Sequence, residues 1–208
     1  MSDYLTDEEQ MARLRSWWEQ NGTALVIGVV VVVAGVVGWR WYDSSAQERT
    51  ERGSSLYAQW LEAGEESKAR LAELIAEEAD GTAYPAFVLL HQAQALVAAD
   101  DSAGAEAPLR DAVAAAPDQE LADLARLRLG RVLFDLDRTD EALGVLMEVR
   151  GAGYRVLAAE LKGDIHLARG ERALAHEAYQ SALAEAQEGS QRPLLEVKVA
   201  DTADAVDA

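Results

Sequence analysis

A chain of 208 residues with a net charge of -18 and no cysteine excludes several classes of protein. Residues 43–208 hold 16 basic and 32 acidic side chains, and such a field repels the phosphates of nucleic acids. The lack of cysteine excludes disulfides, thiol nucleophiles and thiolate metal sites. Half of the residues are apolar but only 6% are aromatic, with alanine and leucine prominent, so we expect an all-α fold.

The first predicted element is an uncharged apolar run, residues 20–39. As a helix rising about 1.5 Å per residue, it would span about 30 Å, the hydrocarbon thickness of a bilayer. A cleaved signal peptide is the competing interpretation. However, residues 1–19 hold five acidic and two basic side chains, whereas a signal peptide begins with positive charge and has a shorter apolar part. We therefore predict an uncleaved transmembrane anchor over residues 20–42.

Tryptophans stand at both borders of this run, where the amphipathic indole ring favours the headgroup layer. The predicted interfacial anchors are Trp17, Trp18, Trp39 and Trp41. Charge does not decide the orientation, because two basic residues precede the run and three follow it closely. In addition, the following domain of about 165 residues exceeds the loop lengths for which the positive-inside rule holds.

Small residues within the run fall within about 80° of one another on a helical wheel. We call this set the small-residue face: Ala24, Gly28, Gly35 and Gly38. Such a face lets a second helix approach closely in lipid, where packing drives association, and is a candidate docking surface. Glycine is also frequent in membrane helices generally, so the sequence leaves both interpretations open.

The chain after the anchor is predicted to be helical throughout its folded part. Residues 43–55 are polar or small, and apolar residues with a helical period follow. Turn signals then divide the chain into helices of about 12 to 20 residues. These signals are Gly64, Gly81, residues 100–101, 117–118, 137–138 and 151–153, Gly170 and Gly189. We predict one helical domain over residues 43–200 and a flexible acidic tail over residues 201–208.

Internal repetition is the most specific signal in this domain. In residues 163–183, small residues and one tyrosine have the spacing of a tetratricopeptide unit. They are Gly163, Gly170, Ala175, Tyr179 and Ala182. The small residues are expected where two antiparallel helices touch, and the tyrosine is expected to fill the gap against the neighbouring repeat.

Two further units share this pattern. Gly130, Ala142 and Leu146 stand in the same relation within residues 129–149, and a more degenerate unit contains Ala105. Ala105, Ala142 and Ala175 are 37 and 33 residues apart, close to the repeat length of 34. We predict three stacked helix pairs with flanking helices, a continuous core and a concave groove. A spacer without a ligand remains the alternative, because a repeat fold does not by itself imply a function.

The sequence offers little to support catalysis. His91, His166 and His176 lie on predicted helices without the spacing of metal ligands, and residues 151–153 lack the context of a phosphate loop. We expect no enzyme, no cofactor and no metal. Four basic residues could line the groove and capture a carboxylate, but helix-surface ion pairs are the preferred interpretation. They are Arg126, Arg128, Arg131 and Lys162.

The order of these features resembles the YfgM-type ancillary subunits of the SecYEG translocon. The resemblance starts with a W-W-x-x-N-G pattern before the anchor and G-W-R-W after it. Residues 151–183 and 192–201 continue it. The residues of the first part are Trp17, Trp18, Asn21, Gly22, Gly38, Trp39 and Trp41.

The resemblance implies an inner-membrane protein of Gram-negative bacteria, with residues 1–19 in the cytoplasm and the repeat domain in the periplasm. It implies association with the SecYEG translocon and with PpiD, a membrane-anchored chaperone, and help in passing on unfolded secretory chains. Our leading hypothesis is a non-enzymatic, tethered module that holds a chaperone beside the translocon. The alternative is a membrane-anchored regulatory protein that sequesters a signalling factor.

Overall fold

The computed structural model describes residues 7–186 and 192–203, and in these ranges the chain has nine helices and no strand. The predicted all-α class is therefore confirmed. The helices are α1 (Asp7–Glu62), α2 (Glu65–Glu78), α3 (Tyr84–Ala98), α4 (Ser102–Ala115), α5 (Gln119–Asp135), α6 (Thr139–Met147), α7 (Ala152–Ala168), α8 (Arg172–Glu185) and α9 (Pro193–Thr202). Each predicted turn lies at a boundary between helices except Gly189, which is outside the described residues.

The chain divides into two compact units, Met1–Glu48 and Arg49–Ala208. In the first unit, α1 is continuously helical, and its apolar side chains between residues 20 and 42 are exposed. Among the described residues, α1 is the one helix long and apolar enough to cross a membrane. Its length and exposed apolar surface fit a single-pass membrane anchor.

The polar stretch of residues 43–55 is not a separate connection, because α1 continues through it to Glu62. The hydroxyls of Ser44 and Ser45 donate to the carbonyl oxygens of Trp41 and Tyr42, so these serines bond within the helix and do not end it. Polar and small residues without proline are compatible with a helix, so residues 43–55 continue α1.

In the second unit, the last part of α1 packs with α2 and α3. The buried residues of this cluster are Trp60, Ile75, Ala79 and Val88. Gly53 lies close to Tyr84 and Ala79, and a Cβ at Gly53 would come within 2.7 Å of the Ala79 Cβ. The glycine therefore lets α1 approach the start of α3 closely.

The helix pairs α3/α4, α5/α6 and α7/α8 are joined by the same turn. Its central residue has positive φ in each pair: Asp100 at 60°, Asp137 at 59° and Gly170 at 76°. In each turn the following residue donates its backbone N–H to a carbonyl five residues earlier, the bond of a Schellman motif. The positive-φ residues are 37 and 33 residues apart, as are the alanines from which the repeats were predicted.

The buried residues of the second unit form three clusters. Besides the cluster at α1 to α3, one cluster spans α3 to α7 and another spans α7 to α9. The division arises because α7 buries residues on two faces. Ala158, Leu161 and Ile165 belong to the larger cluster, and Val156 and Ala159 belong to the last one.

The C-terminal end of the folded part lies beyond the predicted boundary at residue 200. Helix α9 continues to Thr202, whose side chain is fully buried. The carbonyl of Asp201 accepts a hydrogen bond from Arg172 of α8. Residues 201 and 202 thus belong to α9, and residues 204–208 of the predicted tail lie outside the described residues.

Candidate functional site

The small-residue face lies on the apolar part of α1. An added Cβ at Gly28, Gly35 or Gly38 would meet no atom within 4 Å among the described residues, and Ala24 is exposed. Packing within the described chain therefore does not require these glycines. Their backbone is accessible to a second helix in lipid.

The four border tryptophans are all exposed. On the N-terminal side, the Asn21 side chain donates to the Trp17 carbonyl at 3.0 Å. Gly22 lies against the indole of Trp18, where an added Cβ would stand 3.0 Å from the ring. Local contacts thus shape the first border, while Trp39 and Trp41 expose most of their surface.

Small residues of the repeats are enclosed, in contrast to those of the membrane helix. A Cβ on Gly130 would stand 2.8 Å from Leu146, and one on Gly163 would overlap the ring of Tyr179. Both contacts join the two helices of one pair. Ala142, Ala175 and Ala182 are fully buried in the same pairs, whereas Gly170, also predicted to pack there, is exposed in the turn between α7 and α8.

A polar network connects α7, α8 and α9. Lys198 donates to Glu160 at 2.8 Å and to Asp164 at 2.7 Å, and the Tyr179 hydroxyl donates to the same Asp164 oxygen at 2.7 Å. Burial and the contact with Asp164 raise the pKa of Tyr179. Burial lowers the pKa of Lys198, but its hydrogen bonds to the two carboxylates outweigh this effect and raise it.

Asp123 is fully buried and joins α5 to the connection before α7. It accepts the backbone N–H groups of Arg150 at 3.0 Å and Gly151 at 2.7 Å. The side chains of Gln119 and Arg126 also donate to it, at 2.7 and 3.1 Å. Burial raises the pKa of Asp123, but these four donors together lower it below its ordinary value. The carboxylate has a structural role at the junction between two repeats.

An apolar pocket of about 320 Å³ lies between α3 and α5, the first helices of neighbouring pairs. Its floor consists of buried aliphatic side chains: Leu90, Ala93, Leu109 and Val132. Polar side chains also line it: Gln94, Arg128, Arg131 and Asp135. The pocket thus has an apolar floor and charged residues around it.

The basic residues considered for the groove differ in their partners. Arg126 forms ion pairs with Asp123 and Glu148, as the ion-pair interpretation expects. Arg128 and Arg131 are exposed and form no ion pair within the part of the chain that the structure describes. We expected most of the four basic residues to form ion pairs, but among the described residues only Arg126 does. Lys162 is half-buried on α7, and burial lowers its pKa.

Comparisons with known proteins agree with this architecture. The family model of the tetratricopeptide repeat-like domain matches residues 15–204. A protein of Haemophilus influenzae named "Ancillary SecYEG translocon subunit" is 30% identical, over 92% of this chain and 94% of its own. An Escherichia coli protein of the same name is 30% identical over 87% and 89% of the two chains, and one from Neisseria gonorrhoeae is 26% identical over 96% and 98%.

The chain belongs to the family of ancillary SecYEG translocon subunits. The predicted resemblance is thereby confirmed, and so is the tetratricopeptide-like domain. No solved structure matches the chain. Because the match begins at residue 15, it includes the apolar part of α1 as well as the repeats.

The histidines of this family member have packing and hydrogen-bonding partners. His91 contacts the rings of Tyr57 and Trp60, and His166 lies 2.6 Å from Glu171. His176 is buried and contacts Thr202. Among the described residues, no group of three or more His, Cys, Asp or Glu could hold a metal ion. The repeat fold and the names of the relatives point to a non-catalytic scaffold role.

Arg128 and Arg131 were two of four basic residues considered for the groove, and the sequence pattern does not separate them from Arg126 and Lys162. Their spacing of three residues places them in adjacent turns of one helix face. However, the pocket beside them also requires α3, which is distant in the sequence.

Proposed function

We propose that this protein is a non-enzymatic ancillary subunit of the SecYEG translocon. In this role it tethers a membrane-anchored periplasmic chaperone of the PpiD type and assists the handover of unfolded secretory chains. The observation that carries the proposal is the similarity, over about 90% of the chain, to proteins named ancillary SecYEG translocon subunits. A matching repeat domain alone would not support it, since that fold serves many functions.

The proposed arrangement is a single-pass inner-membrane protein. Residues 1–19 are cytoplasmic, residues 20–42 span the membrane, and the domain that follows is periplasmic. The small-residue face docks against a translocon helix, because Gly28, Gly35 and Gly38 have no packing partner among the described residues. The groove between the first helices of the repeats binds the chaperone.

Tethering explains how such a protein acts without chemistry. Two partners confined beside one membrane meet at an effective concentration of about millimolar for short links, so weak contacts are sufficient. The net charge of -18 adds specificity, because it favours basic partner surfaces and disfavours nucleic acid.

Photo-crosslinking in cells tests the proposed docking. A photoreactive residue replaces Gly28 or Gly35, and matched controls carry it at Val26 or Val33 on the opposite side of the helix. We expect adducts with translocon subunits from the glycine positions and few from the valines. Equal adducts from both sides, or none from either, would contradict docking through the small-residue face.

A topology reporter tests the orientation. We expect a periplasm-active enzyme fused after Ala208 to be active. A silent reporter, with the fusion protein present in the membrane, would place the repeat domain in the cytoplasm. That result would favour the regulatory alternative.

A further inference from the structure

The pocket between α3 and α5 combines an aliphatic floor with a positive rim. Leu90, Ala93, Leu109 and Val132 are each less than 5% exposed. The volume of about 320 Å³ is at the small end of ligand pockets, which measure about 300 to 1,000 Å³. It therefore suits an aliphatic side chain better than a large cofactor.

The two rim arginines lack the ion pairs that hold most other arginines of the repeats; Arg172 donates to a backbone carbonyl instead, and Arg150 forms no ion pair among the described residues but does not line the pocket. Ion pairs with carboxylates hold Arg110, Arg126, Arg138, Arg155 and Arg169. Arg128 and Arg131 form no such pair among the described residues, although acidic side chains outnumber basic ones twofold in residues 43–208. These two guanidinium groups are thus available to an external anion.

The spacing of the two arginines indicates which anion fits. Residues three apart on a helix have Cβ atoms about 5 to 6 Å apart, so Arg128 and Arg131 present two cations in adjacent turns. A single chain-terminal carboxylate supplies one anionic group, whereas two acidic side chains supply one for each arginine. Asp135, one turn further along α5, repels an acidic ligand and so defines the negative side of the pocket.

We propose that this pocket binds an internal peptide segment in which an aliphatic side chain is flanked by two acidic side chains. The aliphatic side chain enters between α3 and α5, and the two carboxylates contact Arg128 and Arg131. The segment belongs to the chaperone partner, and in that respect the inference rests on the proposed function. Outside the pocket the domain is acidic and repels such a segment, so the two arginines restrict its binding to this pocket.

Peptide binding to the purified full-length protein in lipid nanodiscs tests the proposal. The probe is a fluorescent, acetylated and amidated peptide with the sequence Gly-Ser-Glu-Leu-Asp-Ser-Gly. We expect saturable binding that weakens with added salt. Peptides with Gln and Asn in place of the acids, or with Ser in place of Leu, should bind at least about tenfold more weakly. No saturation of the first peptide up to about 1 mM would overturn the proposal.

Variants of the protein locate the site. Arg128→Gln with Arg131→Gln should weaken binding about tenfold, whereas Asp135→Asn should strengthen it a few fold. The matched control, Arg150→Gln with Arg155→Gln, removes the same charge outside the pocket and should bind nearly as the unchanged protein does. Equal weakening by both double variants would show a general charge effect and overturn the assignment to this pocket. Unchanged circular dichroism verifies that the variants are folded.

Two further outcomes distinguish this inference from recognition of a chain terminus and from the proposed function. A peptide ending in Ser-Leu with a free carboxylate should bind more weakly than the internal segment, and tighter binding would overturn the internal-segment assignment. If peptide binding fails while Gly28 and Gly35 still crosslink to the translocon, the inference fails and the proposed function stands. If the peptide binds but Gly28 and Gly35 give no translocon adducts, the inference about the pocket stands and the proposed docking fails.

Discussion

Small residues occur in both units of the chain but have different surroundings. In the membrane helix, Gly28 and Gly35 contact nothing within 4 Å among the described residues. In the repeats, Gly130 and Gly163 lie directly against Leu146 and Tyr179. The same residue type therefore serves close packing within the chain in one unit, and leaves a surface open to another molecule in the other.

The largest effect is expected from the buried polar contact that supports the repeat packing. Asp123→Ala leaves the backbone N–H groups of Arg150 and Gly151 without their acceptor. We expect a loss of about 3 kcal/mol in the free energy of unfolding of the repeats, because buried donors are left unsatisfied. Denaturant unfolding followed by circular dichroism measures it. A loss below about 0.5 kcal/mol would show that these repeats do not depend on the junction.

A slightly smaller effect is expected at a packed glycine. Gly163→Ala forces the Tyr179 ring to move and should cost about 1 to 3 kcal/mol. Gly144→Ala is the matched control, because an added Cβ there meets nothing within 4 Å and alanine is the better helix former by about 0.5 to 1 kcal/mol. The two substitutions should thus change stability in opposite directions. Equal thermal unfolding curves for the two variants would contradict the difference between enclosed and open glycines.

Acid should weaken the repeats through Asp123. Because its folded pKa is lowered, its contribution to stability is present above its unfolded pKa of about 4 and is lost as pH falls toward the folded value. Asp123→Asn removes this titration, so its stability should fall less steeply between about pH 5 and pH 3. The carboxylates of Glu106 and Glu141 also have lowered pKa values, owing to Arg138, and remain in both proteins. Parallel pH profiles would contradict the role of Asp123.

The smallest effect on stability is expected in the membrane helix. Gly28→Leu with Gly35→Leu should leave unfolding of the repeats within about 0.5 kcal/mol of the unchanged protein, because no described residue packs there. The same double variant should lower recovery of translocon subunits with the purified protein. Val26→Leu with Val33→Leu provides the control. A large loss of repeat stability in the glycine variant would contradict the separation between the two units.

Most of the fold is predictable from the sequence because its signals are local. Helix boundaries are predictable from local residues such as Asp118. Its side chain caps the start of α5 by accepting the N–H of Leu121 at 2.9 Å. The repeats follow from alanines with a fixed spacing. The continuation of α1 through residues 43–55 is harder to predict, because these residues are polar or small and Gly53 packs against Ala79 and Tyr84, which are distant in the sequence.

The proposed binding surfaces are less predictable from the sequence. The partners of Arg126 and Arg131 depend on which helices stand beside α5, and the sequence pattern alone treats the two arginines alike. Likewise, Asp123 bonds to Arg150 and Gly151, which lie 27 and 28 positions later in the chain. Such distant contacts follow from the stacking of the repeats and leave no local signal.

Exchange of the membrane segment is the clearest test of association with the translocon through the membrane helix. Residues 20–39 are replaced by an unrelated transmembrane helix of equal length that keeps the border tryptophans, and translocon subunits recovered with the protein from solubilised membranes are quantified. We expect most of the recovery to be lost while the repeats unfold at the same temperature. Undiminished recovery would contradict docking through the membrane helix and would assign translocon association to the repeat domain.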